Sequence, residues 1–235
     1  MKTTNAILLI LTCAMMYSCS SSAQVNGGKR KVDSFTKIVS SAGIDVNFTQ
    51  GNSHTVEIQT DAENLNKIEV IVKNGTLELK KKEGTQFKKQ TKIMVHVSAK
   101  TLDALAFSGG ADFFSKEITN SNTFSIAISG GADITIDKLN VNECNIAISG
   151  GADADIKSLK ASTLNLAGSG GSDAAIHSNN INNMNVAASG GADITITGEV
   201  KSISVKASGG ADIDISNLKY ETISSNKSGG GDIKK

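Results

Sequence analysis

The chain has no proline and no tryptophan, and only two tyrosines, three cysteines and three histidines in 235 residues. Without proline no turn can lean on a preset φ angle, so the 23 glycines must do the turning. The shortage of tryptophan and tyrosine argues against aromatic platforms for stacking sugars. The cysteines, Cys13, Cys19 and Cys144, exclude a disulfide framework, because the first two lie in or beside an export signal and Cys144 is then alone. His54, His96 and His177 are far apart, and no Ser, Cys or Asp pattern marks them as a catalytic triad or a metal centre. A net charge of +1 offers no electrostatic footprint for nucleic acid or an anionic membrane.

What is present begins with an export signal. Lys2 supplies a positive start, and residues 6–16 are apolar over a length that suits a signal peptide and is too short to span a bilayer. Ser18 and Cys19 follow, then three serines. An apolar core, a small residue and then cysteine resembles a bacterial lipobox. It implies a signal peptide over residues 1–18, cleavage before Cys19 and lipidation of the Cys19 thiol with several acyl chains, since one chain holds a membrane only marginally. Cleavage after Ala23, preceded by Ser21-Ser22, is the competing expectation. Residues 19–30 are small and polar and read as a flexible tether.

Residues 31–105 are strand-rich without an obvious repeat. Ile44-Asp45-Val46-Asn47-Phe48, Val56-Glu57-Ile58 and Leu77-Glu78-Leu79 alternate with the period of half-buried strands. Asn74-Gly75 predicts a two-residue hairpin turn, since both residues accept positive φ. Gln50-Gly51-Asn52 predicts a second hairpin, and residues 61–67 a short helical turn. The lysines among residues 80–92 read as a solvated hairpin end, with contact to anionic lipid or polysaccharide as the functional alternative.

Residues 106–235 repeat Ser-Gly-Gly-Ala-Asp seven times, at 108–112, 129–133, 149–153, 169–173, 189–193, 208–212 and 228–232, with Ser172 and Gly231 replacing the alanine in two copies. The starting serines are 21, 20, 20, 20, 19 and 20 residues apart. A fixed period of this size means one supersecondary unit stacked on copies of itself. Phe124, Cys144, Leu164, Met184, Ile203 and Ile223 recur at one position and can stack in a single buried column. The fold expected is all-β, a right-handed parallel β-helix of about 20 residues per coil, a rod of roughly 30 Å at the spacing of paired strands.

Within the motif the glycine pair reads as a corner. A phosphate loop would need a helix after it, and strand patterning follows instead. The aspartates, Asp112, Asp133, Asp153, Asp173, Asp193, Asp212 and Asp232, form a ladder. Carboxylates ~4.8 Å apart repel by roughly 0.9 kcal/mol per pair in water, a tolerable cost. The ladder is the candidate site for a cation or a partner. Calcium is the candidate ion for oxygen ligands, although the nine-residue glycine-rich calcium repeat differs from this one in period and in the position of Asp. No other cofactor is expected. Asn145, Asn165 and Asn185, with Ser125 and Ser204, read as a structural amide and hydroxyl ladder. Every coil offers the same acid and none gains a distinctive basic or aromatic cluster, which argues against a single active site.

The chain resembles the head GIN domain family, described as auto-transporter adhesins and common in Bacteroidetes envelopes. The resemblance rests on residues 43–51, on Asn74-Gly75-Thr76-Leu77-Glu78-Leu79, and on the repeated Ser-Gly-x-x-Asp followed by an aliphatic residue, over about residues 35–233. It implies a β-helical envelope protein, often a lipoprotein, with no catalytic residues to carry over. The sequence ends three residues after Asp232, so no translocator barrel is expected. The function expected is that of a non-enzymatic lipoprotein, anchored through Cys19 at the outer membrane, binding an envelope protein or glycan. A polysaccharide-processing β-helix and a calcium-stabilised rod are the alternatives.

Overall fold

The structure, a computed structural model, describes residues 25–88 and 91–235. Alternation of aliphatic and small polar residues makes each 20-residue unit two or three strand segments, and glycine turns the corner between them. The bent strands are β9 (Phe113–Ser129), β10 (Asp133–Gly150), β13 (Asp173–Gly190) and β14 (Asp193–Ala207). The intervening and final coils are split into β11 (Asp153–Lys160), β12 (Thr163–Gly170), β15 (Asp212–Asp214), β16 (Leu218–Lys227) and β17 (Asp232–Lys234). Successive coils pair parallel and in register, so Asp133, Asp153, Asp173, Asp193, Asp212 and Asp232 are consecutive partners. The result is a β-solenoid of about six turns and about 20 residues per turn, as the repeat predicts.

The predicted core column forms. Phe124, Cys144, Leu164, Met184 and Ile203 are buried and paired coil to coil, with Ile223 partly buried at the end. Each buried aliphatic of this kind contributes about 1.5–3 kcal/mol. Volumes compensate between faces: the inward column Ile128, Ile148 shrinks to Gly168 and Ala188, and the Ile194 Cδ1 lies where a Gly168 side chain would go, 3.2 Å from its missing Cβ.

The two irregular intervals have located causes. The 21-residue interval holds one extra residue, Asn120, skipped between the pairs Asn140–Thr119 and Val141–Ser121. The 19-residue interval arises where Asn179 and Asn180 oppose Glu199 alone, between the pairs Ser178–Gly198 and Ile181–Val200. Asn180 takes a positive φ of 59° there, and Gly198 one of 97°.

The N-terminal part differs from expectation in three ways. First, the solenoid starts before residue 106. Strands β2 (Lys37–Ser40) and β3 (Ile44–Gln50) stack in parallel on β8 (Ala104–Phe107) and β9. The corner between them, Ser41-Ala42-Gly43-Ile44-Asp45, is an eighth, degenerate copy of the motif. Ala42 and Gly43 have φ of 61° and 69°, matching 62° and 70° at Gly109 and Gly110. Second, Gln50-Gly51-Asn52 does not close a hairpin. Strand β7 (Ile93–Ala99) lies between β3 and β4 (Thr55–Thr60), parallel to the first and antiparallel to the second. Alternating strands leave partner choice to long-range packing. Third, the expected tether is partly structured: β1 (Val25–Lys31) pairs antiparallel with β4. It supplies the backbone partners that a sheet edge otherwise lacks.

These strands cap one end of the solenoid. β7, β4 and β1 extend the sheet beyond β3, while β6 (Thr76–Lys81) and β5 (Ile68–Lys73) extend it beyond β2. The Asn74-Gly75 hairpin forms as predicted, with φ of 51° and 72°. The helical turn is α1 (Ala62–Leu65), N-capped by Asp61, whose Oδ1 accepts from the Asn64 amide at 2.7 Å. Under the cap sit Phe48, Phe107 and Phe113, with Phe113 5.4 Å from Phe107 edge-on and 6.2 Å from Phe48.

Candidate binding faces

The two glycines of the motif have different duties. The first is left-handed in every copy, from 62° at Gly109 to 79° at Gly170, and stacks on its equivalent in the previous coil. A Cβ on Gly150 would stand 3.0 Å from the Gly130 nitrogen. The second glycine is left-handed only in the first coils, at Gly43, Gly110 and Gly131; a Cβ on Gly151 would meet nothing within 4 Å. In later coils its amide instead donates to the previous coil, as Gly171 does to the Gly150 carbonyl at 2.8 Å.

The aspartate column runs beside this corner and begins one coil earlier than predicted, at Asp45. The signal for Asp45 was present in Ser41-x-Gly43-x-Asp45, masked by Ala42 and Ile44. The carboxylates serve the backbone: the Asp112 amide donates to Asp45 Oδ1 at 3.1 Å, Asp133 to Asp112 at 3.2 Å and Asp173 to Asp153 at 3.3 Å. Burial raises the pKa of Asp45, Asp133 and Asp173, and the neighbouring carboxylates in the column raise them further. Asp232, at the end, is lowered by its hydrogen bond from Lys227, 3.0 Å away. Among the described residues no group of three or more His, Cys, Asp or Glu is arranged to hold a metal ion.

The strands preceding the motif turn a different face outward. Inward residues alternate with three outward columns. The first is Ser125, Asn145, Asn165, Asn185 and Ser204; the second is Ala106, Ala127, Ala147, Ala167 and Ala187; the third is the motif serines. The amides form a ladder, Asn165 Nδ2 to Asn145 Oδ1 at 2.8 Å and Asn185 Nδ2 to Asn165 Oδ1 at 2.9 Å, as predicted for a stacked column. The alanine methyls lie lower than their neighbours. They floor two shallow grooves, of about 820 Å³ on the serine side and about 690 Å³ on the asparagine side. Sequence reasoning passed over this alanine column, although a small apolar residue recurring at an outward position was its signal.

The remaining candidates stay apart. His54 packs against Phe35, His96 Nε2 is 3.1 Å from Gln59 Oε1, and His177 Nδ1 is 2.9 Å from Thr197 Oγ1. Cys144 is fully buried and burial pushes its thiol pKa up to about 12, so it is held as a neutral, unreactive thiol. Two lysines of the 80–92 stretch are engaged: Lys80 lies 3.7 Å from both Glu69 and Glu78, and Lys81 donates to the Thr85 carbonyl. Cys19 lies outside the described residues.

Fold and faces together define a capped β-solenoid with a regular outward face and, among the described residues, no convergent cluster of reactive groups. The chain belongs to the family described as "Putative auto-transporter adhesin, head GIN domain", which it matches over residues 34–173 and 145–234. Among solved structures it is similar to one described as a putative adhesin from Bacteroides fragilis, at 22% identity and a TM-score of 0.80, over 91% of this chain and 97% of that one. A putative adhesin from Parabacteroides distasonis matches at 20% identity and a TM-score of 0.70, over 91% and 97%. A protein from the same species described as a putative lipid binding protein matches at 17% identity and a TM-score of 0.69, over 88% and 94%. At these identities the likeness is one of fold. A comparison with curated protein sequences finds no match.

Proposed function

We propose that this chain is a non-enzymatic, exported envelope lipoprotein, anchored at the outer membrane through Cys19, whose solenoid presents a binding face to a protein or glycan of the envelope. The observation that carries the reading is the face before the motif, where the asparagine-or-serine, alanine and motif-serine columns repeat from coil to coil between Ala106 and Ala187, before Lys206 replaces the alanine. Repetition of this kind suits an extended contact and gives no one place for a reaction. Membership of an adhesin-named family and the names of the structural neighbours support it. The export signal supports the anchor.

Metabolic labelling with a radioactive fatty acid tests the anchor: the wild-type chain takes up label and Cys19→Ser does not. Protease treatment of whole cells then separates surface from periplasm. Uptake of label by neither chain removes the lipoprotein reading. An envelope extract from which the purified chain retains neither protein nor glycan counts against the binding face.

A further inference from the structure

We propose that the capped end of the solenoid is a basic contact for the anionic headgroups of the membrane in which Cys19 is anchored, and that the array stands away from the bilayer. This rests on the lipoprotein reading above and adds a second contact to it. The net charge of +1 conceals an opposition between the two ends of the molecule. Residues 25–107 carry thirteen lysines and arginines against nine acids, and residues 108–235 carry ten against fourteen. The basic excess lies wholly in the outermost layers. Residues 25–33 and 55–92, which span β1, β4, α1, β5 and β6 up to the start of β7, hold eleven basic and seven acidic residues. Within these layers α1 joins β4 to β5, and residues 82–88 lie against it. The Lys82 amide donates to the Lys67 carbonyl at 2.8 Å, and the Lys88 amide to Asn64 Oδ1 at 2.9 Å.

Ion pairs within the cap do not remove the excess. Glu57 pairs with Lys29, Glu63 with Lys67, and Glu69 and Glu78 both with Lys80. Asp61 is occupied in capping α1, with Lys88 and Lys67 in its field. That leaves Asp33 and Glu83 against Arg30, Lys31, Lys73, Lys82, Lys88 and Lys92, none of which is ion-paired among the described residues. Lys92 also lies in the field of Asp45. All but Arg30 of these six are exposed.

The chain enters the fold at this same end. Val25 pairs with Thr60, the residue before the Asp61 cap of α1. Cys19 is six residues earlier in the sequence, a reach of at most about 20 Å. A lipid on Cys19 therefore holds the capped end close to the headgroups. The far end is out of reach: β17 lies ten strand spacings from β1, about 48 Å. Opposite charges then fix the orientation. β9, whose Asp112 opens the acid-rich array, is four spacings from β1, about 19 Å and beyond the ~8 Å screening length of physiological salt. Upright, the solenoid sets its bases against anionic headgroups and keeps its acids out of their field. On its side it would bring the aspartate column against charges of the same sign. The upright solenoid presents its outward faces along their whole length, away from the bilayer.

Flotation with lipid vesicles tests the contact, using the mature chain with Cys19→Ser, which carries no lipid. It should bind vesicles containing phosphatidylglycerol, leave vesicles of phosphatidylcholine alone, and be released by added salt. Lys82→Glu combined with Lys88→Glu should weaken binding at least ~tenfold with an unchanged unfolding midpoint, since both side chains are exposed. Lys160→Glu combined with Lys201→Glu makes the same change in net charge within the array and should leave binding unaltered. Absence of binding to anionic vesicles at low salt, equal binding to both kinds of vesicle, or equal loss from the two pairs of reversals overturns the proposal. Binding to polygalacturonate in place of vesicles assigns the basic end to an acidic polysaccharide and overturns the lipid contact. A wild-type chain that takes up no fatty acid, beside a mature chain that binds vesicles, removes the anchor and leaves the basic contact. Uptake of fatty acid without vesicle binding does the reverse.

Discussion

The two ends of the solenoid solve different problems with the same coil. At the N-terminal end the corner carries Ala42 in place of the first glycine, and the core is aromatic, with Phe48, Phe107 and Phe113 in contact. The edges there are covered by β7, β4 and β1 on one face and by β6 and β5 on another. From residue 125 onward the chain has no phenylalanine, every corner starts with glycine, and the core is made of aliphatic columns. The difference teaches that repetition suffices to continue a stack but not to start one. A continuing coil is covered by its neighbours on both sides. The first coil needs irregular strands and bulky side chains to close its open side.

The comparison can be broken most severely by substitutions at its tightest points. In the repeat region Gly198→Ala puts a Cβ 2.0 Å from the Ser178 carbonyl oxygen at a φ of 97°, so backbone must move. At the cap Phe113→Ala empties the aromatic contact. Each should cost about 3–5 kcal/mol by urea unfolding. If the cap is what starts the stack, Phe113→Ala should also slow refolding more than Gly198→Ala does. Equal refolding rates would deny the cap that role.

Within one corner the two glycines should separate. Gly150→Ala is expected to cost about 1–2 kcal/mol from its left-handed φ and the 3.0 Å approach to Gly130. Gly151→Ala should change little. Similar midpoints for the two would mean that the stacking of first glycines contributes nothing.

Ser172 occupies an inward place that is alanine at Ala111, Ala132, Ala152, Ala192 and Ala211, and its Oγ is buried without a hydrogen-bond partner. Ser172→Ala should therefore stabilise by about 1 kcal/mol, or ~2–4 °C in Tm for a chain of this size. Ala42→Gly should do slightly less at the cap, where relief of left-handed strain is partly offset by unfolded-state entropy. A loss of stability there would mean that the Ala42 methyl packs usefully.

The smallest effect concerns charge along the corner. The raised pKa of Asp133 means that the folded chain holds this proton to a higher pH than the unfolded chain, whose ordinary value is 3.8. Stability therefore falls as pH rises through and beyond 3.8 and stays reduced at neutrality. Asp133→Asn should raise Tm at pH 7 by a degree or so and have no effect near pH 3, where both side chains are neutral. An equal gain at both values would point to hydrogen bonding instead of repulsion.

Much of this was legible beforehand for a physical reason. A repeat whose coils are in register places identical residues on identical partners, so Cys144 had to meet Phe124 and Leu164 once the period was counted. The aspartate ladder and the asparagine ladder follow from the same counting. The alanine column was equally regular, yet an outward alanine carries no chemistry of its own. It matters only because the side chains on both flanks are longer.

Local alternation determined which residues face inward, and the repeat determined that parallel coils stack and where glycine turns them. Tertiary structure alone decided that Ser41 to Asp45 is a first corner, that β7 separates β3 from β4, and that β1 joins the sheet. Those pairings join residues far apart in the chain, from Lys31 with Thr55 to Ile44 with Ile93 and Val46 with Phe113. Strand periodicity is blind to such choices, since an alternating strand can accept several partners, and the buried phenylalanines of the cap select among them.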